Sequence, residues 1–248
     1  EAFAAAKASA LAGVPFTAST LANAPLEEVI QYCGEVPAYF QLYTPKNKEL
    51  AESLISRAEK AGYKAIIVTL DTWLTGWRPR DLTTANFPQL RGHVLENYFC
   101  DPVFRSLLQD DPKDDLQAAI LTWAGVFGEV LTWDHVPWLR ETTKLPIVLK
   151  GICHGDDARR AADLGAGDTP VLLDSGIRSG ADMVKAIALG AAAVGIGRPY
   201  TYGLALGGAE GAAHVLRCIL AEADLMMAVN GYPSLQAVRE AGAQRVSV

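Results

Sequence analysis

Lys150 follows three aliphatic residues at the end of the apolar run Pro146–Gly151 (PIVLKG). A lysine so placed has two chemical uses. Its amine can form a Schiff base with a carbonyl, or its ammonium can hold positive charge against an electron-rich cofactor ring. Two later runs end in Asp174-Ser175-Gly176-Ile177-Arg178-Ser179-Gly180 and in Gly195-Ile196-Gly197-Arg198-Pro199. Glycines let a backbone approach a phosphate closely, helix N-termini offer N–H donors, and Arg178 and Arg198 add charge. The pattern predicts a phosphate site, with tight-turn glycines as the alternative. Ser179 and Asp182 are spaced as a capping box that would open a helix there. Other runs end in Ser19, in Gln41 with Tyr43, and in Thr69 with Asp71. Arg78, in Gly76-Trp77-Arg78-Pro79-Arg80, is a candidate carboxylate clamp; the alternative for Arg78 and Arg80 is a solvated loop charge. Burying so many polar run ends costs free energy unless they are paired, so the set is expected to line one pocket.

The elements that must position these residues repeat along the chain. Apolar runs occur at Pro15–Thr20, Tyr39–Tyr43, Ala65–Asp71, Pro146–Gly151, Pro170–Gly176 and Ala192–Pro199. Where no insertion intervenes they start about 22 to 26 residues apart, which fits a strand plus one covering helix. Continuous apolar strands suit a parallel sheet buried on both faces. Asn47–Ala61 places Leu50, Leu54, Ile55 and Ala58 on one helical face before the stop at Gly62, and Asp156–Leu164 with Gly165 repeats the design. Glu1–Gly13, Leu204–Met227 and Pro233–Ala241 also read as helices. The expected fold class is therefore α/β, a TIM (β/α)8-type barrel with six of eight strands recognisable; a doubly wound sheet is the competitor. In a TIM barrel, strand C-terminal ends carry the chemistry, and the last two loops bind phosphate. One break in the period is long, from Gly76 to about Trp138, and all five tryptophans fall between Trp73 and Trp138. It is expected to be a lid-like insertion in a single domain spanning residues 1–248, with an oligomer contact or inert decoration as the alternative.

Composition sets the outer bounds. The chain has 248 residues, half of them hydrophobic, so a sizeable core is within reach. A formal net charge of −6 argues against nucleic acid as a partner. Cys33, Cys100, Cys153 and Cys218 lie far apart, with no CxxC pair. They read as reduced core thiols, neither a disulfide framework nor a metal site, and no metal is expected. The sequence contains no apolar run long enough to span a membrane, and the expected compartment is the cytoplasm.

Taken together, Phe40-Gln41-Leu42-Tyr43, Thr69-Leu70-Asp71-Thr72, Gly76-Trp77-Arg78-Pro79-Arg80-Asp81-Leu82, Leu149-Lys150-Gly151, Asp174-Ser175-Gly176-Ile177-Arg178 and Ile196-Gly197-Arg198-Pro199 resemble the FMN-dependent α-hydroxy-acid dehydrogenase/oxidase family. The stretch TLDTWLTGWRPRDL, followed by a long loop and DPVFR, is similar to its lactate 2-monooxygenase branch. The resemblance implies that Ser19, Gln41 and Thr69 bind the flavin ring, and that Lys150 sits against flavin N1 and the O2 carbonyl. It implies that Asp174, Gly176, Arg178, Gly197 and Arg198 hold the ribityl chain and phosphate. Tyr43 and Arg78 would bind the substrate carboxylate, and Tyr43 and Asp71 are the catalytic candidates, Asp71 orienting a general base. The implied reaction takes the hydroxyl proton from a small L-2-hydroxy acid such as lactate, moves hydride to flavin N5, and reoxidises the flavin with O2. In the monooxygenase branch pyruvate stays trapped behind a closing loop and is oxidatively decarboxylated to acetate. The family also implies a homo-oligomer, a tetramer.

The sequence departs from that family at two places. The family sets its general-base histidine and a second substrate arginine in a Ser-Asn-His-Gly-Gly-Arg-Gln segment ending strand six. Here Gly165-Ala166-Gly167-Asp168-Thr169 leads directly into the Pro170 run, so roughly thirty residues, one strand and one helix, are expected to be missing around Ala166–Gly167. A first strand preceding Glu1 is also expected from the family. His93, His135, His154 and His214 do not match the motif, and His154 reads as an exposed loop residue. Two other functions fit a chain of this kind. One is a flavin-binding or oligomer-interaction protein without turnover; the other is a phosphate-binding barrel lyase or isomerase using Lys150 as a Schiff-base amine.

Overall fold

All six apolar runs form strands; five are shorter than the run that predicts them, and the Tyr39–Tyr43 run forms a strand of equal length shifted by one residue. The structure, a computed structural model, describes residues 1–165 and 169–243, so the junction at Ala166–Gly167 lies outside the described residues. The chain divides into two compact units, Glu1–Ala158 and Arg159–Val248.

In the first unit β1 (Phe16–Ser19), β2 (Ala38–Leu42), β3 (Ile66–Thr69) and β4 (Ile147–Lys150) form one parallel sheet in the order β1-β2-β3-β4. The register pairs Ser19 with Gln41 and Thr69 with Lys150, so polar residues align along the C-terminal edge. Ala18, Phe40, Leu42, Ile66 and Val68 are buried at 3 % exposure or less. Helix α1 (Ala2–Ala12) ends at a left-handed Gly13, and α2 (Leu26–Val29) runs into a 3-10 turn at Ile30–Cys33. Helix α3 (Lys48–Ala61) follows its sequence pattern closely. The Asn47 side chain accepts the Leu50 N–H at 2.8 Å, Leu50, Leu54, Ile55 and Ala58 are buried, and Gly62 closes the helix in the left-handed region.

The long insertion divides in two. Residues 71–94, including α4 (Pro79–Thr84), contain no buried residue, and the Trp77 side chain is almost wholly exposed. From Leu95 onward the chain joins the core: α5 (Glu96–Phe99), α6 (Pro102–Ser106), α7 (Leu116–Val126) and α8 (Val136–Thr142) supply Tyr98, Phe104, Trp123 and Leu139 to it. Only the first part is exposed as the expected lid would be. The rest is scaffold, because its aromatic residues bury more apolar area than a mobile loop could leave in solvent.

Helix α9 (Gly155–Leu164) follows β4. In the second unit β5 (Leu172–Leu173) and β6 (Ala193–Val194) pair in parallel, and α10 (Gly180–Ala188), α11 (Arg198–Val229) and α12 (Leu235–Ala241) pack around Ile177, Val184, Ile187 and Ala223. Here the expectation of strands buried on both faces fails: Val171, Leu172 and Leu173 are 63 %, 53 % and 42 % exposed. A two-stranded sheet has too few neighbours to cover its faces.

The predicted closing helix begins earlier than Leu204 and is two helices, broken at Gly207 and Gly208, where φ/ψ leave the helical region. Gly203 and Gly211 meet across that break; a Cβ on Gly203 would stand 2.3 Å from the Gly211 carbonyl oxygen. Glycine is needed at this crossing because backbone touches backbone. The cysteines also depart from expectation, since only Cys33 is buried and Cys100, Cys153 and Cys218 are exposed. No described helix is long and apolar enough to cross a membrane.

Candidate functional site

Three of the predicted residues form one hydrogen-bonded row across the first unit's sheet edge. The Ser19 hydroxyl donates to Gln41 Oε1 at 2.9 Å, and Gln41 Nε2 donates to Thr69 Oγ1 at 2.8 Å. This row fixes the Gln41 amide orientation, and Gln41 and Thr69 are themselves buried. Two residues missed by the sequence pattern hold the row from behind. Thr20 Oγ1 donates to the Gln41 carbonyl at 2.6 Å and accepts the Tyr43 N–H at 3.0 Å. Asn97, fully buried, donates to the Ser19 and Thr20 carbonyls and accepts the Leu26 N–H at 2.8 Å. A lone polar residue between Glu96 and Tyr98 was the only signal for Asn97.

Lys150 ends β4 beside Thr69 and donates to Asp71 Oδ2 at 3.0 Å. Burial pushes the Asp71 carboxyl up, but the hydrogen bond and charge of Lys150 outweigh it and hold Asp71 below the usual aspartate range. A depressed carboxylate stabilises the fold above its unfolded pKa, and that contribution is lost as pH falls through the folded value. Replacing Lys150 with Met is expected to raise the Asp71 midpoint in a carbon-13 NMR titration and to remove this acid-sensitive contribution. An unmoved midpoint would mean that the pair does not form in solution.

Tyr43 lies against Phe127, ring centroids 5.6 Å apart. Its neighbourhood is fixed by the chain after α7, where Glu129 N–H donates to the Thr44 carbonyl at 2.8 Å. Arg78 is not drawn into this group. It precedes α4 in the exposed loop and pairs with Asp81 at 3.8 Å.

The histidines are engaged locally. His135 Nδ1 accepts the Thr132 N–H at 3.0 Å, His154 Nδ1 accepts the Asp156 N–H at 3.2 Å in an exposed turn, and His214 lies 3.5 Å from Cys218 Sγ. His93 is exposed in the loop after α4.

In the second unit the two glycine-bearing loops follow adjacent parallel strands, with Leu173 paired to Val194. Ser175 and Gly176 both have positive φ, 71° and 76°. Such a non-glycine residue costs about 1–3 kcal/mol, a strain that tends to cluster at ligand sites. A Cβ added at Gly176 or Gly197 would meet nothing within 4 Å, so both leave open space near Arg178 and Arg198. Helix α10 does not offer the free N–H donors that its sequence suggests. Glu222 Oε2 accepts the Gly180 N–H at 2.9 Å, and Ser179 Oγ accepts the Asp182 N–H at 3.1 Å. The capping box is also rearranged, because the Asp182 carboxylate accepts the Arg178 N–H at 3.1 Å. Helix α11 carries no side-chain cap at Gly197. In the first unit, the hydroxyls, amide and ammonium at the sheet edge suit the polar edge of a ring; in the second, taken by itself, two guanidiniums and open glycines suit a phosphate and its polyol chain.

Comparison with known proteins agrees with that donor set. The L-lactate oxidase of Lysinibacillus sphaericus is 36 % identical over 267 residues, covering 95 % of this chain and 69 % of that protein. The FMN-dependent alpha-hydroxy acid dehydrogenase qulF of Penicillium citrinum is 38 % identical over 244 residues, covering 84 % of this chain and 61 % of that protein. The chain thus spans about two thirds of the length of these relatives. A solved mandelate oxidase variant with (S)-mandelic acid superposes with a TM-score of 0.82 at 31 % identity, covering all of this chain and 74 % of the other. The fold is accordingly α/β, an incomplete barrel of the TIM type. The FMN-dependent dehydrogenase family model matches residues 1–169 and 166–245, nearly the whole sequence in two stretches, and the chain belongs to that family of FMN-dependent α-hydroxy-acid oxidoreductases.

Proposed function

We propose that this chain binds FMN and a small L-2-hydroxy acid, lactate in the first instance, and oxidises it slowly. The observation that carries the reading is the Ser19–Gln41–Thr69 row with Lys150 in the next register position, at the C-terminal edge of the parallel sheet. FMN, when bound, supplies the two-electron acceptor that takes hydride from the substrate carbon. Ser19, Gln41 and Thr69 hold the polar edge of the ring, and Lys150 places a cation where negative charge develops on reduction. Asp174, Gly176, Arg178, Gly197 and Arg198 hold the ribityl chain and phosphate. Tyr43 and Arg78 bind the substrate carboxylate once the exposed loop carrying Arg78 closes, which excludes water from the reacting carbon. Asp71 holds Lys150 and orients whatever group takes the hydroxyl proton.

We infer that residues 1–248 form a single domain with the lid-forming loop inserted in it, acting as a homo-oligomer that uses O2 and releases acetate as the lactate 2-monooxygenase branch does. Slow turnover follows from the histidines, each bonded within its own turn or exposed away from the strand ends. That same observation favours a second reading, flavin binding without turnover. The Lys150–Asp71 ion pair disfavours Schiff-base chemistry, which needs the free amine. Purified protein loaded with FMN is expected to be yellow and to bleach slowly on anaerobic mixing with L-lactate. Yellow protein that lactate leaves unbleached would establish the second reading, and protein that takes up no FMN would overturn both.

A further inference from the structure

We propose that Glu222, on the last long helix, is a positioning residue for the phosphate end of FMN, acting through Arg178. The inference rests on the FMN reading above and concerns a residue remote in sequence from every motif of the site. Glu222 lies across the first turn of α10, where Oε2 accepts the Gly180 N–H at 2.9 Å and Oε1 accepts the Ala181 N–H at 3.4 Å. Backbones touch there: a Cβ at Gly180 would lie 2.2 Å from the Ala223 nitrogen, so the α10 start is seated directly on α11. Arg178 is held on both sides of this seat. Ile177 before it is buried in the second unit's core, and its own N–H is held by Asp182 at 3.1 Å.

The anion position at the α10 N-terminus is therefore filled by a carboxylate of the protein itself. A phosphate cannot enter there without displacing it. Glu222 directs the phosphate to the Gly197–Arg198 side and holds the backbone that presents Arg178.

The test compares FMN with riboflavin, which lacks the phosphate, by flavin fluorescence quenching on apoprotein. Wild type is expected to prefer FMN. Glu222→Ala is expected to cut that preference about tenfold, less than the full worth of one charge-assisted hydrogen bond because the α10 backbone stays seated on α11, with riboflavin affinity unchanged. Glu222→Gln keeps one acceptor oxygen, folds if Glu222→Ala does not, and should give a smaller loss in the same direction. An unchanged FMN-to-riboflavin ratio in the variants, or an equal loss for both ligands, overturns the positioning role while leaving FMN binding intact. A wild-type protein with no preference for FMN overturns the phosphate reading itself, and this role with it.

Discussion

A chimera carrying, between Gly165 and Thr169, the stretch that the Lysinibacillus sphaericus L-lactate oxidase has opposite this junction is expected to bleach FMN with L-lactate about 10²–10⁴-fold faster than the present chain. The position follows from the comparisons. The family matches in two stretches that meet at residues 166–169, and the L-lactate oxidase alignment runs over 267 positions against a chain of 248. The relative therefore carries positions that this chain lacks. The magnitude follows from chemistry: hydride leaves the substrate carbon readily only as the hydroxyl proton is taken, and a placed base contributes that factor. His135, His154 and His214 are bonded within their own turns or helix, and His93 is exposed in the loop after α4. The strand and helix expected at this junction would also be restored, and better folding alone raises FMN affinity. A version of the chimera with every histidine of the grafted stretch changed to glutamine separates the two effects. If it bleaches as fast as the full graft, or if the full graft loads with FMN and bleaches no faster than the present chain, the missing-base account fails.

The strands were legible because apolar runs at a βα spacing have few other uses, and α3 because its cap, its buried face and its stop all agree. The run ends were legible as polar residues, and the row Ser19–Gln41–Thr69 assembled from them. Run length was misleading where the run contained its own terminator. Pro170 cannot donate to a ladder and Asp174-Ser175-Gly176 is a turn, so only Leu172–Leu173 remain in β5. Residues that act through distant partners left no local trace. Asn97 reaches Leu26 across 71 positions, and Glu222 reaches Gly180 across 42. Periodicity reports which face a residue occupies and says nothing about which remote backbone it will satisfy. The division of the insertion into exposed loop and core scaffold had the same origin. Tyr98, Phe104 and Trp123 look alike in sequence to Trp73 and Trp77, and only packing separates them.

Replacing Arg57 with Met is expected to destabilise the first unit by about 3 kcal/mol in urea unfolding, because it strands a buried charge. Arg57 Nε and Nη2 donate to the two carboxylate oxygens of Glu27 at 2.7 and 3.0 Å, and Nη1 donates to Asp101 Oδ2 at 3.0 Å and to the Asn97 carbonyl at 2.7 Å. The Asp101 side chain is fully buried, whereas Glu27 is partly open to solvent, so the Asp101 contact sets the cost. The figure sits at the low end for a broken buried pair because Asp101 keeps the Ser53 hydroxyl and the N–H groups of Val103 and Phe104. A double variant, Arg57→Met with Asp101→Asn, should recover part of the loss by removing the stranded charge. Acid behaviour supplies a second reading. Burial pushes the Glu27 carboxyl up, but Arg57 outweighs it and holds Glu27 below the usual glutamate range. Its contribution is therefore full at neutral pH and fades as pH falls below that range, and the Arg57→Met protein should lack this part of the acid loss. The effect should reach the site, because Arg57 also holds Asn97, which fixes the Ser19 and Thr20 carbonyls. FMN affinity is expected to fall even at urea-free conditions where the variant is folded. A stability loss below about 1 kcal/mol would place this pair among ordinary surface ion pairs, and unchanged FMN affinity would disconnect the network from the Ser19–Gln41–Thr69 row.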